Sequence, residues 1–584
     1  MAELIPKMNL NPRIWLLVVL ALCTQGCVHP KINTASTPDA VVSEDADHFV
    51  ECHNGVVVSV SGLASDAGLS MLKRGGNAVD AAVATAFALT VAYPPSAGMG
   101  GGGFMLVHPA HGKGEPVVFD YRERAPAAAF PKMYSKEETQ FSQRAVAVPG
   151  TVRGFATAHQ RFGTLPWREL LQPAIALARD GFVLDTSLAD SINLTLGLAT
   201  NGYGEFHRVF DKPGGGLWHA GDRLIQPDLA RTLQLLADGG PEVFYKGTIA
   251  DEIVAEMARG KGLITAEDLA NYSAIERKPL STRYHGYDVI VPPPPSSGGT
   301  CLLEELNELE TFDLKSWGRW SPKTVHVMAE AMRRASYDRA RFLGDPAFVK
   351  IPTKLATHGY GHQLAKTIDL NKATHSADLS ADIPLSKEGE STTQFSIIDR
   401  NGMAVANTFT LERRWGSRIV VKDMGFLLNN DMRAFNLFPG ITDTNGIIGT
   451  APNLIAPGKR PISSMTPTFV TKNGRVVLVT GSPGSRAIPH TVLCVLVNIF
   501  DFGMPIQDAV ETPRFTQEWF PDQIGFEHPE LYPALVKALN ELGHKIVPPG
   551  PLPFQGDAHT ILVTAPHRYI GVADHRINGK ASGY

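Results

Sequence analysis

Hydrophobic residues recur along this chain at two spacings, and the spacing changes from region to region. Apolar positions three and four residues apart predict helices over 64–74 and 78–91. Between them, Gly75-Gly76-Asn77 combines a glycine that ends one helix with an asparagine that begins the next. Strands are predicted on either side of this helical pair, at Val56–Ser61, Phe104–Val107 and Val117–Tyr121.

The middle of the chain, from Pro166 to about Leu370, has Leu and Ala at helical spacing and is predicted to be mainly helical. A polar stretch with little periodicity follows at 371–390 and predicts an exposed loop. This loop separates the helix-rich portion from the rest of the chain.

Beyond the loop, from Thr392 to Tyr584, the pattern is predicted to be strand-rich, with one helix near Ile488–Phe502. Asn401-Gly402 and Asn473-Gly474 both lie between β-type runs, which predicts two hairpins. Helix-rich and strand-rich portions that meet at one loop predict an α/β fold of stacked layers, with sheets between helices.

The N-terminus carries an apolar run of nine residues, Ile14–Leu22, behind Lys7 and Arg13. A run this short with a basic flank is typical of a secretory signal peptide, although a buried helix or strand is the alternative. Thr24-Gln25-Gly26-Cys27 resembles a bacterial lipoprotein cleavage site, and ordinary signal-peptidase cleavage stays open.

These features predict a signal peptide over residues 1–26, with Cys27 as the lipid-bearing residue if it is of the lipoprotein type. The polar, Pro/Ser/Thr-rich residues 27–47 are then a flexible tether. We therefore expect an exported protein, either in the periplasm or anchored to a membrane, with that lipid as its sole membrane contact.

Composition and charge exclude several classes of protein. Of 584 residues, 43% are hydrophobic and 19% charged, as in ordinary globular proteins, and the net charge is −4 with no Lys/Arg-rich run. A nucleic-acid partner is not expected. Cys52, Cys301 and Cys494 are too widely spaced for a metal motif or a disulfide framework, so neither metal nor cofactor is expected.

One residue after the polar loop has a position that suits covalent catalysis. A threonine hydroxyl is a weak nucleophile, but cleavage of the preceding peptide bond frees an α-amino group as an adjacent base. That amine titrates at about 7.7–8.0 and can accept the hydroxyl proton near neutral pH. Thr392 lies after the loop at the start of a predicted strand, which makes the bond between Ser391 and Thr392 a candidate for such cleavage, although the pattern alone does not single it out. An ordinary β-branched strand residue is the alternative.

Short motifs from about Val56 to the C-terminus resemble those of the γ-glutamyltransferase family. The match near the predicted cleavage site is Thr392-Thr393-x-x-Ser396 followed by Asp399. Further matches are Gly76–Ala82, Gly100–Leu106, Asp120–Glu123, Pro149–Thr151, Ala178–Phe182, Phe244–Gly247, Pro294–Gly299, Leu427–Asn430, Arg460–Thr468 and Gly481–Arg486. The glycines at 100–103 lack the Lys-Ser/Thr of a phosphate-binding loop and are better explained by close backbone packing.

The resemblance implies the four-layer αββα sandwich of N-terminal nucleophile hydrolases. It also implies a precursor that cuts itself between Ser391 and Thr392 into a large subunit, 48–391, and a small catalytic subunit, 392–584, which form one continuous fold. The implied activity is cleavage of the γ-glutamyl amide bond of glutathione and related compounds. A γ-glutamyl-threonine ester is then passed to water or to an amino acid or peptide acceptor.

The resemblance also implies roles for individual residues. Thr392 is the nucleophile, and Thr410 hydrogen-bonds its hydroxyl. Main-chain N–H groups around Gly484 and Ser485 form an oxyanion hole. The substrate α-carboxylate is bound by Arg122, with hydroxyl donors from Ser463 and Ser464.

The chain departs from the family pattern around the substrate amino group. Asp431 is the first of two expected polar groups, whereas Ala434 replaces the second. Glu412 is our candidate to restore the lost carboxylate, because strand alternation places it on the same face as Thr410. A gating aromatic residue is absent, and Asn445 stands in its place.

These departures leave two further interpretations open. An acylase or a poly-γ-glutamate amidase of the same fold would have a different acyl pocket. An uncleaved, inactive relative would instead be a periplasmic binding protein.

Overall fold

A hairpin with fully buried strands lies at the centre of the fold. Its strands are β10 (Thr393–Ile398) and β11 (Ala404–Thr410), and every residue in them is buried. The turn contains the predicted Asn401-Gly402 pair, with Gly402 at φ 82°. The computed structural model describes residues 48–135, 138, 141–199, 202–379, 392–549 and 555–584; the interpretations of residues 1–47, including Cys27, and of Ser391 lie outside them.

The helices confirm much of the periodicity analysis. The paired helices α1 (Gly62–Lys73) and α2 (Ala78–Ala92) meet at Asn77, whose side chain caps α2 by accepting from the N–H groups of Val79 and Asp80. The helices are α1 Gly62–Lys73, α2 Ala78–Ala92, α3 Thr151–Phe162, α4 Trp167–Leu170, α5 Gln172–Asp180, α6 Thr186–Leu198, α7 Gly204–Phe210, α8 Pro227–Gly239, α9 Glu242–Lys246, α10 Thr248–Arg259, α11 Ala266–Ala270, α12 Ser297–Leu309, α13 Leu314–Trp317, α14 Pro322–Phe342, α15 His358–Ala365, α16 Ser376–Leu379, α17 Ile488–Phe500, α18 Ile506–Glu511 and α19 Pro533–Glu541. Within the described ranges, no helix is both long and apolar enough to cross a membrane.

Most of the strands form two seven-stranded sheets. Besides β10 and β11, the strands are β1 Phe49–Cys52, β2 Val56–Ser59, β3 Gly102–His108, β4 Val117–Asp120, β5 Phe182–Val183, β6 Arg223–Leu224, β7 Ile275–Arg277, β8 Leu280–Tyr284, β9 Tyr287–Val291, β12 Thr468–Lys472, β13 Arg475–Thr480, β14 Phe515–Thr516, β15 Ile524–Phe526, β16 Ile546–Val547, β17 Thr560–Ala565, β18 Arg568–Val572 and β19 Lys580–Gly583. The first sheet has the order β19-β2-β10-β11-β3-β4-β7, the second has the order β1-β18-β17-β13-β12-β9-β8, and all pairings within both are antiparallel.

Both sheets draw strands from each side of residue 392. In the first sheet, β10 pairs with β2 and β11 pairs with β3, so strands of the two chain segments are interleaved. In the second sheet, β1 pairs with β18 and β9 with β12. At the C-terminus, the main-chain oxygen of Tyr584 accepts from the N–H groups of His53 and Asn54 over 3.1 and 2.7 Å.

The alternation of side chains divides the hydrophobic core into layers. In β2, Val56 and Val58 pack toward Phe469 and Ile561 of the second sheet. Val57, which lies between them, packs instead in the core beneath α1 and α2. A third core joins the far side of the second sheet to α12, α14 and α17. The predicted four-layer αββα arrangement is therefore confirmed.

The prediction of a mainly helical region from Pro166 to Leu370 is wrong for the segment that contains β7, β8 and β9. The tight connection from Tyr284 to Tyr287 uses His285 and Gly286 at φ 48° and 81°, which suits a two-residue hairpin turn. β7 and β8 are short, partly exposed edge strands, and β9 lies between β8 and β12 with a run of three buried residues, so regular alternation is weak in all three.

Candidate active site

Thr392 lies immediately before β10, at the head of the central hairpin. Because Thr393 pairs with Phe409, extending the register by one residue sets Thr392 opposite Thr410, the last residue of β11. Directly opposite residues on antiparallel strands have Cβ atoms about 4.5–5.5 Å apart. Thr410 is buried, whereas Thr392 is partly exposed and lines a pocket.

The pocket brings together residues that are far apart in the sequence. It combines hydroxyl, acidic and basic side chains, and six of the residues assigned to the site from the sequence line it. The lining residues are Arg122, Arg339, Thr392, Glu412, Ala434, Ile462, Ser463, Ser464, Met465, Ser485, Arg486 and Ile488. Thr410, Gly484 and Asp431 adjoin these residues without lining the pocket.

Arg122 follows β4 and is surrounded by carboxyl groups. Its Nη1 lies 2.9 Å from Glu123 Oε2. Its Nη2 lies 2.6 Å from Asp431 Oδ1 and 3.6 Å from Glu412 Oε2. Arg122, Glu123 and Asp431 are almost wholly buried, whereas the Glu412 side chain is 18% exposed. Glu412 is therefore the carboxylate of this group that a molecule in the pocket reaches most easily.

Burial sets the charge state of this group. Desolvation raises the pKa of Glu123 and raises that of Asp431 well above the ordinary range, and Arg122 offsets only part of the effect. Burial alone would lower the pKa of Arg122, but the neighbouring carboxylates raise it. The buried carboxyls thus hold protons to a higher pH than exposed ones, while the guanidinium stays charged.

The strand alternation expected for Glu412 is wrong, although the residue does line the pocket. β11 ends at Thr410, and Glu412 has a left-handed backbone with φ 77°. The bend is held by the Glu412 N–H group, which donates to Thr410 Oγ1 over 2.8 Å. The bend, rather than a regular strand, directs the carboxylate toward Arg122.

The segment with Ser463 and Ser464 is fixed by the start of α12. The carbonyl of Ser463 accepts from both the N–H and the hydroxyl of Ser297, over 2.6 and 2.7 Å. Arg339 Nε donates to the same Ser297 hydroxyl over 3.0 Å. The Ser463 hydroxyl accepts from the Met465 N–H group over 3.2 Å. The two hydroxyls predicted to bind a carboxylate therefore lie on a rigid part of the pocket wall.

Gly484 and Ser485 form the turn into α17. Their φ angles are 127° and 55°, a pair of positive values that glycine adopts readily and serine rarely. A 3₁₀ turn, Ser485–Ala487, leads directly into the helix. The main-chain N–H groups of this turn and the positive end of the helix dipole suit a developing oxyanion.

Two of the departures from the family pattern occupy different positions in the structure. Ala434 is buried, ends the 3₁₀ turn Asp431–Ala434 and lines the pocket with a methyl group. Asn445 is exposed and does not line the pocket. Its N–H group donates to Asp443 Oδ1 over 2.7 Å, which is a local turn contact.

Arg339 and Arg486 also line the pocket, although neither was assigned a role from the sequence. Arg486 Nε lies 3.0 Å from Glu518 Oε2, and its Nη1 donates to the Gly446 carbonyl over 3.2 Å. Arg486 directly follows the predicted oxyanion turn, which is the one signal that could have identified it. Arg339 comes from α14, and nothing in its local sequence indicates the pocket.

This geometry can be compared with known proteins. The family described as Gamma-glutamyltranspeptidase matches residues 64–584. The chain is 39% identical over 576 residues to the glutathione hydrolase proenzyme of Escherichia coli strain K12, covering 97% of this chain and 98% of that protein. It is 38% identical over 508 residues to the Acylase ACY 1 proenzyme of Pseudomonas sp. strain SE83, covering 84% and 87%.

A solved structure is similar over almost the same extent. The cephalosporin acylase from Bacillus halodurans has a TM-score of 0.82 and 28% sequence identity, covering 94% of this chain and 99% of that one. Because the family match includes Thr392 and every residue that lines its pocket, the chain belongs to the γ-glutamyltranspeptidase family, whose enzymes have the N-terminal nucleophile hydrolase fold.

Proposed function

We propose that this chain is a self-processing γ-glutamyl hydrolase and transferase that acts on glutathione and related γ-glutamyl amides. The observation that carries this proposal is the pocket, in which Thr392 lies with Arg122, Glu412, Ser463 and Ser485. The pocket offers a nucleophile, a cation, an anion and hydrogen-bond donors, and a γ-glutamyl group has a complementary carboxylate, ammonium and acyl carbon.

Self-processing uses the Thr392 hydroxyl before its amine is free. The hydroxyl oxygen attacks the carbonyl carbon of Ser391, and the peptide C–N bond breaks as the nitrogen takes up a proton. An ester between the Ser391 acyl group and the Thr392 oxygen results. Water then hydrolyses this ester and releases Thr392 with both a free hydroxyl and a free α-amino group.

Catalysis repeats this acyl chemistry on the substrate. The α-amino group of Thr392 accepts the hydroxyl proton as the oxygen attacks the γ-carbonyl carbon. The N–H groups at Gly484 and Ser485 stabilise the oxyanion, and the ammonium returns its proton to the leaving amine. Water or an acceptor amine then attacks the ester and restores the hydroxyl.

Substrate recognition follows from the charges around the pocket. The α-carboxylate binds Arg122 and the hydroxyls of Ser463 and Ser464, while the α-ammonium binds Glu412. Glu412 lies near Arg122 before substrate binds. A bound γ-glutamyl group replaces this one ion pair with two, one between its carboxylate and Arg122 and one between its ammonium and Glu412. Asp431 supports Arg122 from behind.

The test is to purify the protein and its Thr392→Ala variant from the same host. The wild type should give two bands on a denaturing gel, with the smaller fragment beginning at Thr392 by N-terminal sequencing, and should hydrolyse a γ-glutamyl anilide. The variant should remain one chain without activity. A small fragment that begins elsewhere would contradict the assignment, and an uncut wild-type chain would favour the binding-protein alternative.

A second candidate function is that of an acylase. Ala434 lines the pocket with a methyl group, so an acyl group without the α-ammonium loses no partner there. A comparison of γ-glutamyl and glutaryl anilides, which differ by the amino group alone, separates the two functions. A higher kcat/KM for glutaryl anilide would make the acylase the better description. Cleavage of poly-γ-glutamate in preference to both would favour the amidase.

We also propose that the chain is exported and carries lipid on Cys27. This proposal depends on the apolar run and the Gly26-Cys27 pair of the sequence. Cys27→Ser should move the processed enzyme from the membrane fraction to the soluble periplasm. Identical fractionation of both proteins would leave simple secretion as the explanation.

A further inference from the structure

Three metal-ligating side chains meet where the end of α12 approaches the start of α15. Glu310 is the first residue after α12, and His358 and His362 lie one helical turn apart in α15. One donor atom from each lies within 4.8 Å of the others, and all three side chains are at least partly exposed. The cluster is separate from the Thr392 pocket.

The hydrogen bonds around the cluster orient two of its metal-ligating atoms, His358 Nδ1 and Glu310 Oε2. Thr282 Oγ1 donates to Asn307 Oδ1 over 2.5 Å, so it accepts from the Nε2–H group of His358, 3.2 Å away. A neutral His358 ring then has its lone pair on Nδ1, which faces Glu310 Oε2 over 3.1 Å. A proton on Nδ1 or a metal ion satisfies both atoms, and a metal ion binds here by taking the place of that proton.

The other carboxylate oxygen is also held in place. Glu310 Oε1 accepts from the His285 N–H group over 3.3 Å. Metal-binding histidines usually donate their second ring N–H to a fixed acceptor, and metal-binding carboxylates are themselves hydrogen-bonded. Both supports are therefore present, on Thr282 and on the His285 main chain.

The separations fit a zinc ion. Zn–N and Zn–O bonds of about 2.0–2.2 Å in a tetrahedral site place two donor atoms roughly 3.3–3.5 Å apart. The 3.1 Å between His358 Nδ1 and Glu310 Oε2 is within a few tenths of an ångström of this range. The His362 ring centre is 6.0 Å from that of His358, and its exposed side chain can rotate to supply the third ligand.

A second cluster with the same residue types lacks these properties. His326, Glu330 and His544 are all buried, and His326 Nδ1 and His544 Nε2 are hydrogen-bonded to each other over 2.7 Å. Both Glu330 oxygens contact the guanidinium groups of Arg333 and Arg334, whose charges oppose a metal cation. The Glu310 cluster is therefore the better metal site of the two.

We propose that Glu310, His358 and His362 bind a divalent transition-metal ion of the zinc type, with the remaining coordination positions open to solvent. The ion joins the end of α12 to α15 and so stabilises the fold. The start of α12, which holds the Ser463 segment, lies about 20 Å away along a helix of 13 residues. The ion therefore takes no part in the acyl chemistry, and this proposal does not depend on the proposed function.

The test is zinc binding to the purified full-length protein by isothermal titration calorimetry and equilibrium dialysis. The wild type should bind one zinc ion at this site. His358→Gln and His362→Gln should each weaken binding by at least 10–100-fold, the cost typical of losing even an outer-shell partner. His219→Gln, which removes an exposed histidine elsewhere, should bind zinc like the wild type. Zinc should also raise the Tm of the wild type and of His219→Gln, and at the same zinc concentration it should raise that of His362→Gln less.

Two controls separate loss of the zinc site from misfolding and from binding at the buried cluster. His362 is exposed, so its variant should fold normally, which circular dichroism verifies. Equal zinc affinity in the wild type and in the His358→Gln/His362→Gln double variant would overturn the proposal. So would loss of the zinc site in His544→Gln with retention in His362→Gln, because that result would assign zinc to the buried cluster.

Discussion

The buried carboxyls beside the pocket and those on α12, both within the described part of the chain, differ in their surroundings. At the pocket, Glu123 and Asp431 contact the guanidinium of Arg122. On α12, Glu304 and Glu308 are equally buried, but neither oxygen of Glu308 has a hydrogen-bond partner among the described residues. Burial raises the pKa of the carboxyls in both groups.

The comparison shows that a raised pKa does not by itself identify a binding site. On α12, desolvation and neighbouring carboxyls such as Asp338 and Glu305 raise the pKa of Glu304, so protonation is the simplest way to bury it. At the pocket, Arg122 keeps its charge and Glu412 is open to solvent. A persistent cation beside an accessible anion is what makes the second group suitable for a zwitterionic ligand.

The largest effect is expected from removing the cation. Arg122→Met should lower the free energy of unfolding by about 3–5 kcal/mol, because it leaves buried carboxyls without their counter-charge. The loss should be greater at pH 8 than at pH 5, since protonation of Glu123 and Asp431 relieves it at low pH. Urea unfolding at both pH values measures this. Arg179→Met, on the surface beside Asp180, is the control and should behave like the wild type. Equal stability of the two variants would show that Arg122 does not hold the group together.

The next effect is on substrate binding. Glu412→Gln should raise KM for a γ-glutamyl anilide by roughly 10- to 150-fold, because a charge-assisted hydrogen bond contributes about 1.5–3 kcal/mol. Self-cleavage should remain intact, since Thr392 and its neighbours are unchanged. Glu541→Gln, an exposed glutamate on α19, is the matched control. An unchanged KM, with a glutaryl anilide hydrolysed at least as well, would instead support the acylase.

The buried carboxyls of α12 should make the free energy of unfolding depend on pH. A protonated Glu308 stabilises the fold, and this contribution is lost as the pH rises from an unfolded pKa of about 4.3 toward the raised folded pKa. Glu308→Gln removes that titration. The free energy of unfolding of the variant, relative to that of the wild type, should increase by about 1.4 kcal/mol for each pH unit in this interval. Unfolding free energies from pH 5 to pH 8 measure the gain, and parallel curves for the two proteins would contradict it.

The smallest effect is expected at Ala434. If Glu412 binds the substrate ammonium, Ala434→Asp should leave KM for γ-glutamyl anilide within roughly twofold of the wild type, about 0.4 kcal/mol. In the Glu412→Gln background the same change should restore part of the lost affinity. Steady-state kinetics of the single and double variants test this. A large gain from Ala434→Asp alone would show that Glu412 does not fill the role.

Much of the central fold was predictable because local signals agree with the tertiary structure there. The Asn401-Gly402 turn and its flanking apolar runs predicted β10 and β11, and the apolar run after residue 488 predicted α17. By contrast, β8 and β9 were missed, because their turn uses His285-Gly286 and because β9 is positioned by pairing with the distant β12. Short strands of this kind are specified by tertiary contacts more than by local pattern.

The site was predictable from the sequence only in part. Arg122 and the serines were assigned through family motifs, and the structure places them at one pocket. Glu412 also lines the pocket, although the expected strand geometry fails at its positive φ. Arg339 could not be anticipated, because α14 reaches the pocket through helix packing that no local motif encodes.

Both sheets combine strands from before and after residue 392, and this arrangement favours synthesis of the protein as a single chain. Strands from before and after residue 392 are neighbours in both sheets, so neither segment made alone would have a complete sheet. Each would expose open strand edges, which favour aggregation. Translation as one polypeptide avoids this, because the partners of every strand arrive on the same molecule. Cleavage before Thr392 then acts on a chain whose sheets are already complete. A chain that is not cleaved would be folded but inactive.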